Sequence, residues 1–224
     1  MTSGDISGLL AVYLYVAFLL LFTEKAVNNS QLLSRKVLHI GVGNIIFILP
    51  LFDTGWVMTF LAAFPFVIIT FFISPYSPLD TVSKTSSEGH RLGLVYYSIS
   101  WCILAFFFFE SMEVIAIGIV AMSFGDGFAS LVGIRYGKRK FKIIGDEKSL
   151  EGSSAMFIST VIVALLALFY FGSTPSYFFI IIPISAFVGT FAESITPKGL
   201  DNITVSLSTA LTYYYLVYLL LPIV

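Results

Sequence analysis

Residues 153–171, SSAMFISTVIVALLALFYF, carry no charged side chain. About 20 apolar residues are what a helix needs to cross a bilayer. Working outward, comparable runs occupy 6–22, 37–52, 55–73, 92–109, 112–134, 176–192 and 203–223, so the chain offers eight candidate spans. The run 37–52 is short and 112–134 is interrupted by polar residues, which leaves seven crossings open. Composition agrees: 58% of residues are hydrophobic, 17% aromatic and only 11% charged. Backbone polar groups in lipid must bond internally, and uniformly apolar runs of this length favour helices over the alternating strands of a barrel. The expected fold is an all-α integral membrane protein, a single membrane domain over 1–224 with about eight transmembrane helices.

The charges orient it. All twelve Lys and Arg fall between spans 1 and 2 (Lys25, Arg35, Lys36), 3 and 4 (Lys84, Arg91), 5 and 6 (Arg135, Lys138, Arg139, Lys140, Lys142, Lys148) and 7 and 8 (Lys198). The opposite ends hold only acids: Asp5, Asp53, Glu110 and Glu113. The positive-inside rule then puts the basic loops in the cytoplasm and both termini outside. Losing one span would scatter the basic residues over both faces. The N-terminal segment is acidic and its apolar run long enough to span, so no cleaved signal peptide is expected. Compact loops and the lack of an organelle-targeting extension point to a prokaryotic cell membrane. Cys102 is the one cysteine, which excludes an internal disulfide and a Cys-based metal site.

Immediately before residues 153–171 lies the polar exception. It contains Gly125-Asp126-Gly127-Phe128-Ala129-Ser130, then Gly137-Lys138-Arg139-Lys140, then Glu147-Lys148-Ser149-Leu150-Glu151-Gly152. Charge inside a hydrocarbon protein is expensive and marks function by default. Asp126 between glycines must either break its span or place a carboxylate at the membrane edge, and hard oxygen ligands suit Mg²⁺ bridging phosphates. The run Lys138, Arg139, Lys140 suits a phosphate donor, and equally the anionic headgroups of membrane lipids. Lys148 and Glu151-Gly152 open a helix, where backbone N–H groups favour an anion. Ser149 capping that helix is a competing account.

Two further clusters carry polar groups to the same expected face. Arg35, Lys36 and His39 enter span 2, with Arg35 and His39 four apart on one helical face. The cations fit ordinary cytoplasmic anchors, whereas His39 sits a turn deeper and is a candidate to position phosphate or take a proton. Glu193 ends span 7, and Asp201-Asn202 precede span 8, where Asp201 also fits a simple cap. Residues 74–91 form a longer loop, either a lid or a plain connection. No phosphate-binding loop of the Gly-x-x-x-x-Gly-Lys-Ser/Thr kind and no dinucleotide-binding glycine fingerprint occurs.

At these residues the sequence resembles the polyprenol kinase family, which includes dolichol kinases, phytol kinases and CTP-dependent diacylglycerol kinases and shares distant motifs with CDP-diacylglycerol synthases. The match rests on Gly125 to Ser130, Gly133, Gly137 and Lys148 to Gly152. Arg35-Lys36-x-x-His39, Glu193 and Asp201-Asn202 extend it over nearly the whole chain. The resemblance implies a membrane enzyme that phosphorylates a lipid alcohol, with CTP as donor and Mg²⁺ or another divalent cation. Asp126, Lys148 and Glu151 would form the donor and metal side, and Glu193, Asp201 and Asn202 the other half. The metal ligands would be Asp126, Glu151 and Asp201; His39 and Glu193 are candidate bases. One departure separates the branches. The synthases end in Asp-Arg-x-x-x-Asp, whereas Asp201 is followed by Asn202 and Ser206 stands in the register of the second Asp. That favours a kinase over CDP-lipid synthesis. A transporter or scaffold is the remaining class, but it would place ionisable residues near the midplane with matching halves. The expected partners are a lipid alcohol, a nucleoside triphosphate and membrane lipids, with no nucleic acid.

Overall fold

A computed structural model describes residues 1–26, 31–76, 92–144, 146–197 and 199–220, with the side chains of 24–26, 31, 32, 35 and 220 excepted. The loop 77–91, with Lys84, Glu88, His90 and Arg91, and Lys198 lie outside the described residues.

Within the described residues each of the eight apolar runs is helical: α1 Ser3–Ala26, α2 Gln31–Val42, α3 Gly55–Phe72, α4 Gly93–Phe108, α5 Met112–Tyr136, α6 Leu150–Phe171, α7 Phe178–Ile195 and α8 Asp201–Tyr214. Among the described residues, α1, α3, α5, α6 and α7 contain segments long and apolar enough to cross a bilayer, while Lys36–Leu51 and Gly93–Phe108 are shorter apolar helices. The second run is short for a local reason. Beyond Val42 its helix tightens into 3₁₀ turns at Gly43–Phe47 and Leu49–Leu51, where Gly43 favours helix poorly and Pro50 offers no N–H. The described part is thus an all-α membrane protein, apart from one two-residue-per-strand hairpin in which β1 (Lys140–Phe141) pairs antiparallel with β2 (Lys148–Ser149).

The chain falls into two compact units, Met1–Glu110 and Ser111–Val224. In the first, the buried carboxylate of Asp5 clasps the α2–α3 turn. It accepts hydrogen bonds from the N–H groups of Asp53 (3.2 Å) and Thr54 (3.0 Å) and from the Thr54 hydroxyl (3.0 Å). An acid expected merely to face outward is therefore a structural cap for otherwise orphaned backbone donors.

The second unit is held by close helix approach. Gly125, Ala129, Gly133 and Gly137 recur every fourth residue on one face or its continuation. A Cβ at Gly125 would meet Thr160 Oγ1 at 2.5 Å, and one at Gly137 would meet Ser149 Oγ at 2.7 Å. A Cβ at Gly152 would meet Ala129 O at 2.9 Å. Small residues on both helices let α5 and α6 pack backbone to backbone, the usual device where lipid removes the hydrophobic drive between helices. Gly189 does the same between α7 and α8, with Thr209 filling the space. α6 begins at Ser149, whose hydroxyl accepts from Gly152 N (3.1 Å), and ends at the left-handed Gly172 (φ 65°).

Candidate active site

Asp126 is the first α-helical residue after a π-helical turn, Ala121–Gly125, within α5. The wider turn admits one extra residue and re-aims the side chains beyond it, which is why such turns gather at functional sites. Nothing in the Gly-Asp-Gly motif alone indicated a π turn.

Lys148 is set by the hairpin. Phe141 faces it across the two strands, and Leu150 N donates to Arg139 O (2.9 Å). The Glu151 carboxylate accepts from the backbone N–H groups of Lys138 and Arg139 (3.2 Å each). At this helix start Ser149 is the cap, and Glu151 ties down the basic strand. So held, Lys148 Nζ forms an ion pair with Glu193 Oε1 at the end of α7, the two side chains being 13% and 4% exposed. Spacing brought Lys148 next to Glu151; the fold pairs it with Glu193.

Asp201, buried at the head of α8, completes the group. Its Oδ1 accepts from Gly199 N and Asn202 N, each at 3.0 Å. Gly199 has φ 95°, a left-handed conformation that glycine adopts without strain. Burial pushes the Asp201 carboxyl up to about 7, and the charges of Asp126 and Glu193 add to this against Lys148 and the Gly199 N–H. For Lys148, burial opposes the charge, but Glu193, Asp201 and Asp126 outweigh it and raise its pKa. Carboxyl groups from three helices therefore act on one lysine, Glu193 by direct contact and Asp126 and Asp201 through their charge.

A stability prediction follows from Asp201. Unfolded, its carboxyl releases its proton near the ordinary 3.8; folded, it holds the proton to about 7. Between those values the native state binds more protons, so stability falls as pH rises through that window. Melting temperatures of chelator-treated protein in detergent should decline across it, and Asp201→Asn should flatten the slope.

The donor chemistry fits a divalent cation in one specific sense. Among the described residues no three His, Cys, Asp or Glu side chains stand ready to hold an ion alone. Asp126 and Asp201 would offer two hard oxygen ligands to a Mg²⁺ ion that also bound phosphate oxygens and water, whereas Glu151, the third ligand expected from the resemblance, is engaged by the Lys138 and Arg139 amides.

The other predicted residues lie as follows. Lys138 and Arg139 are exposed, and Lys140 pairs at the surface with Glu147 (2.8 Å). Gly152 is a packing position and Asn202 is buried beside Asp201. Ser206 is fully buried, and its hydroxyl donates to Asn202 O (2.7 Å), so that register of α8 bears no carboxylate. Lys36 and His39 are buried on α2 in the first unit, where the His39 ring meets Tyr97 edge-on (centroids 5.2 Å apart). Arg35 shares that helix, but its side chain lies outside the described part.

No protein-family model matches the chain, and no solved structure is significantly similar to it. Curated proteins are. A phytol kinase of Synechocystis is 30% identical over 213 residues, covering 91% of this chain and 88% of its own length. A probable chloroplastic phytol kinase of Triticum aestivum is 33% identical over 84% of this chain and 68% of its own length. Phytol kinase 1 of Arabidopsis thaliana is 30% identical over 83% and 66%. Similarity over 91% of the chain takes in both units, and on it the chain belongs to the polyprenol and phytol kinase family.

Proposed function

We propose that the protein is a membrane lipid kinase that moves the γ-phosphoryl group of a nucleoside triphosphate onto an isoprenoid alcohol of the phytol type. The observation that carries the reading is the Lys148–Glu193 pair set beside Asp201 and Asp126, in a chain 30% identical to a phytol kinase. The alcohol oxygen attacks the γ-phosphorus, the bond from that phosphorus to the β,γ-bridging oxygen breaks, and a nucleoside diphosphate leaves. Phosphoryl transfer depends chiefly on positioning and on offsetting charge on the transferred group. Lys148 supplies a fixed cation for the donor phosphates, and Glu193 aims it and is the candidate base within the cluster. The exposed Lys138 and Arg139 offer further positive charge at the hairpin. Asp126 and Asp201 are the residues to hold Mg²⁺, which would neutralise charge on the donor phosphates. CTP is the proposed donor on the family resemblance. The one-sided distribution of Lys and Arg supports a cytoplasmic site, eight crossings and both termini outside.

The test uses purified protein in detergent with Mg²⁺, phytol, geranylgeraniol and diacylglycerol as acceptors, and CTP labelled separately at the α- and γ-phosphates, with ATP in parallel. The reading predicts γ label in an isoprenyl monophosphate with nucleoside diphosphate released. Alpha label in a lipid phosphate acceptor, with pyrophosphate released, would instead identify CDP-lipid synthesis.

A further inference from the structure

The first unit contains a cavity of about 250 Å³ that the Lys148 cluster does not use. Three helices turn the same stripe toward it. Starting from Tyr13 on α1, Phe66 on α3 and Leu94 on α4, the lining residues recur at i, i+3, i+4 and i+7. That spacing marks one helical face, here directed into a slot rather than onto a neighbouring helix. Seven residues of rise make the slot about 10 Å long. Three of its hydroxyls are bonded to backbone carbonyls: Tyr13 donates to Leu61 O (2.6 Å), Thr70 to Phe66 O (2.6 Å) and Ser98 to Leu94 O (3.1 Å). The wall left over is hydrocarbon and aromatic. Tyr13, Phe66 and Trp101 gather their rings at one end (centroids 5.4 and 6.1 Å apart), and His39 against Tyr97 forms the other.

We infer that this slot holds the isoprenoid tail of the lipid alcohol, with the hydroxyl directed toward His39. The inference rests on the lipid-kinase reading for the identity of its ligand. An apolar slot with one polar end matches an alcohol carrying one long hydrocarbon chain. Its volume is just below the ~300–1,000 Å³ of typical ligand clefts, so it grips the first part of a tail and leaves the remainder in the bilayer. His39 and Tyr97 then bound the hydroxyl end of the slot, and the ring cluster at the far end sets how bulky the tail can be.

The experiment is photolabelling of the full chain, in vesicles of saturated phosphatidylcholine, with an isoprenoid alcohol bearing a diazirine on its tail. The expected labels map to residues 13–20, 66–73 or 94–101 and are competed by phytol but not by diacylglycerol. Filling the slot with Ala17→Phe should lower that labelling and raise KM for phytol by about tenfold or more, the scale of a pocket losing a few methylenes of space. Labels confined to other segments, or equal competition by diacylglycerol, would overturn the slot assignment even if phytol is phosphorylated. Phytol-competed labelling of the slot without phosphorylation of any isoprenoid alcohol would uphold it while removing the kinase reading.

Discussion

Asp201→Asn should reduce phytol phosphorylation by about 10²–10³-fold, the usual effect of removing one preorganised electrostatic group from a reaction centre, while leaving the protein folded. The two outcomes separate because Asp201 has two tasks. Its Oδ1 accepts from Gly199 N and Asn202 N, and asparagine retains an oxygen there. Its charge is the second task, and in the resting protein that charge is unfavourable: burial, Asp126 and Glu193 all resist it. Asparagine removes the repulsion, so the melting temperature near neutral pH should hold or rise as turnover falls. Asp126→Asn should lose activity on the same scale. Near-full turnover in either folded variant would remove that residue from the site.

Lys148→Met should be worse for folding than for any other variant of the cluster. Breaking a buried ion pair by deleting one partner costs about 3–5 kcal/mol, because the other charge stays buried without compensation. Here Glu193 is 4% exposed and two further carboxylates lie within electrostatic reach. Deleting Lys148 and Glu193 together (Lys148→Met with Glu193→Leu) should recover most of the lost stability, since a buried pair and an apolar replacement are often near equal. Activity should not return. A double-mutant cycle by thermal unfolding measures the coupling directly, and additive losses would show that the pair is not a functional unit of the fold.

Much of this architecture was legible in the chain because membrane helices announce themselves by length and hydrocarbon content. Within the described residues all eight apolar runs became helical, and 55–73 and 92–109 matched Gly55–Phe72 and Gly93–Phe108 almost to the residue. The run at 37–52 was harder: periodicity cannot distinguish α from 3₁₀ turns, and Gly43 and Pro50 were the available signals. The π turn before Asp126 left no trace in composition. In the site, the polar residues were visible as expensive exceptions to an oily sequence, but their partnerships were not. Lys148 and Glu151 are near in sequence, whereas Lys148 and Glu193 are 45 residues apart, a proximity that only the close packing of α5, α6, α7 and α8 creates. Glu151 was legible as a helix-start carboxylate; its bonds to the Lys138 and Arg139 amides depended on a two-residue hairpin too short to predict. Asp5 was missed as a clasp because nothing local distinguishes a buried acid from an outward-facing one.

The central claim is that phosphoryl chemistry takes place at Asp126, Lys148, Glu193 and Asp201. Its most direct test is affinity cleavage: Fe²⁺ replaces Mg²⁺ in the presence of CTP, peroxide and ascorbate generate radicals at the bound ion, and the cut sites are mapped by mass spectrometry. The account predicts nucleotide-dependent cuts beside residues 126 and 201, lost in Asp126→Asn. Cuts that fall elsewhere in the chain, or that persist unchanged in that variant, would contradict it.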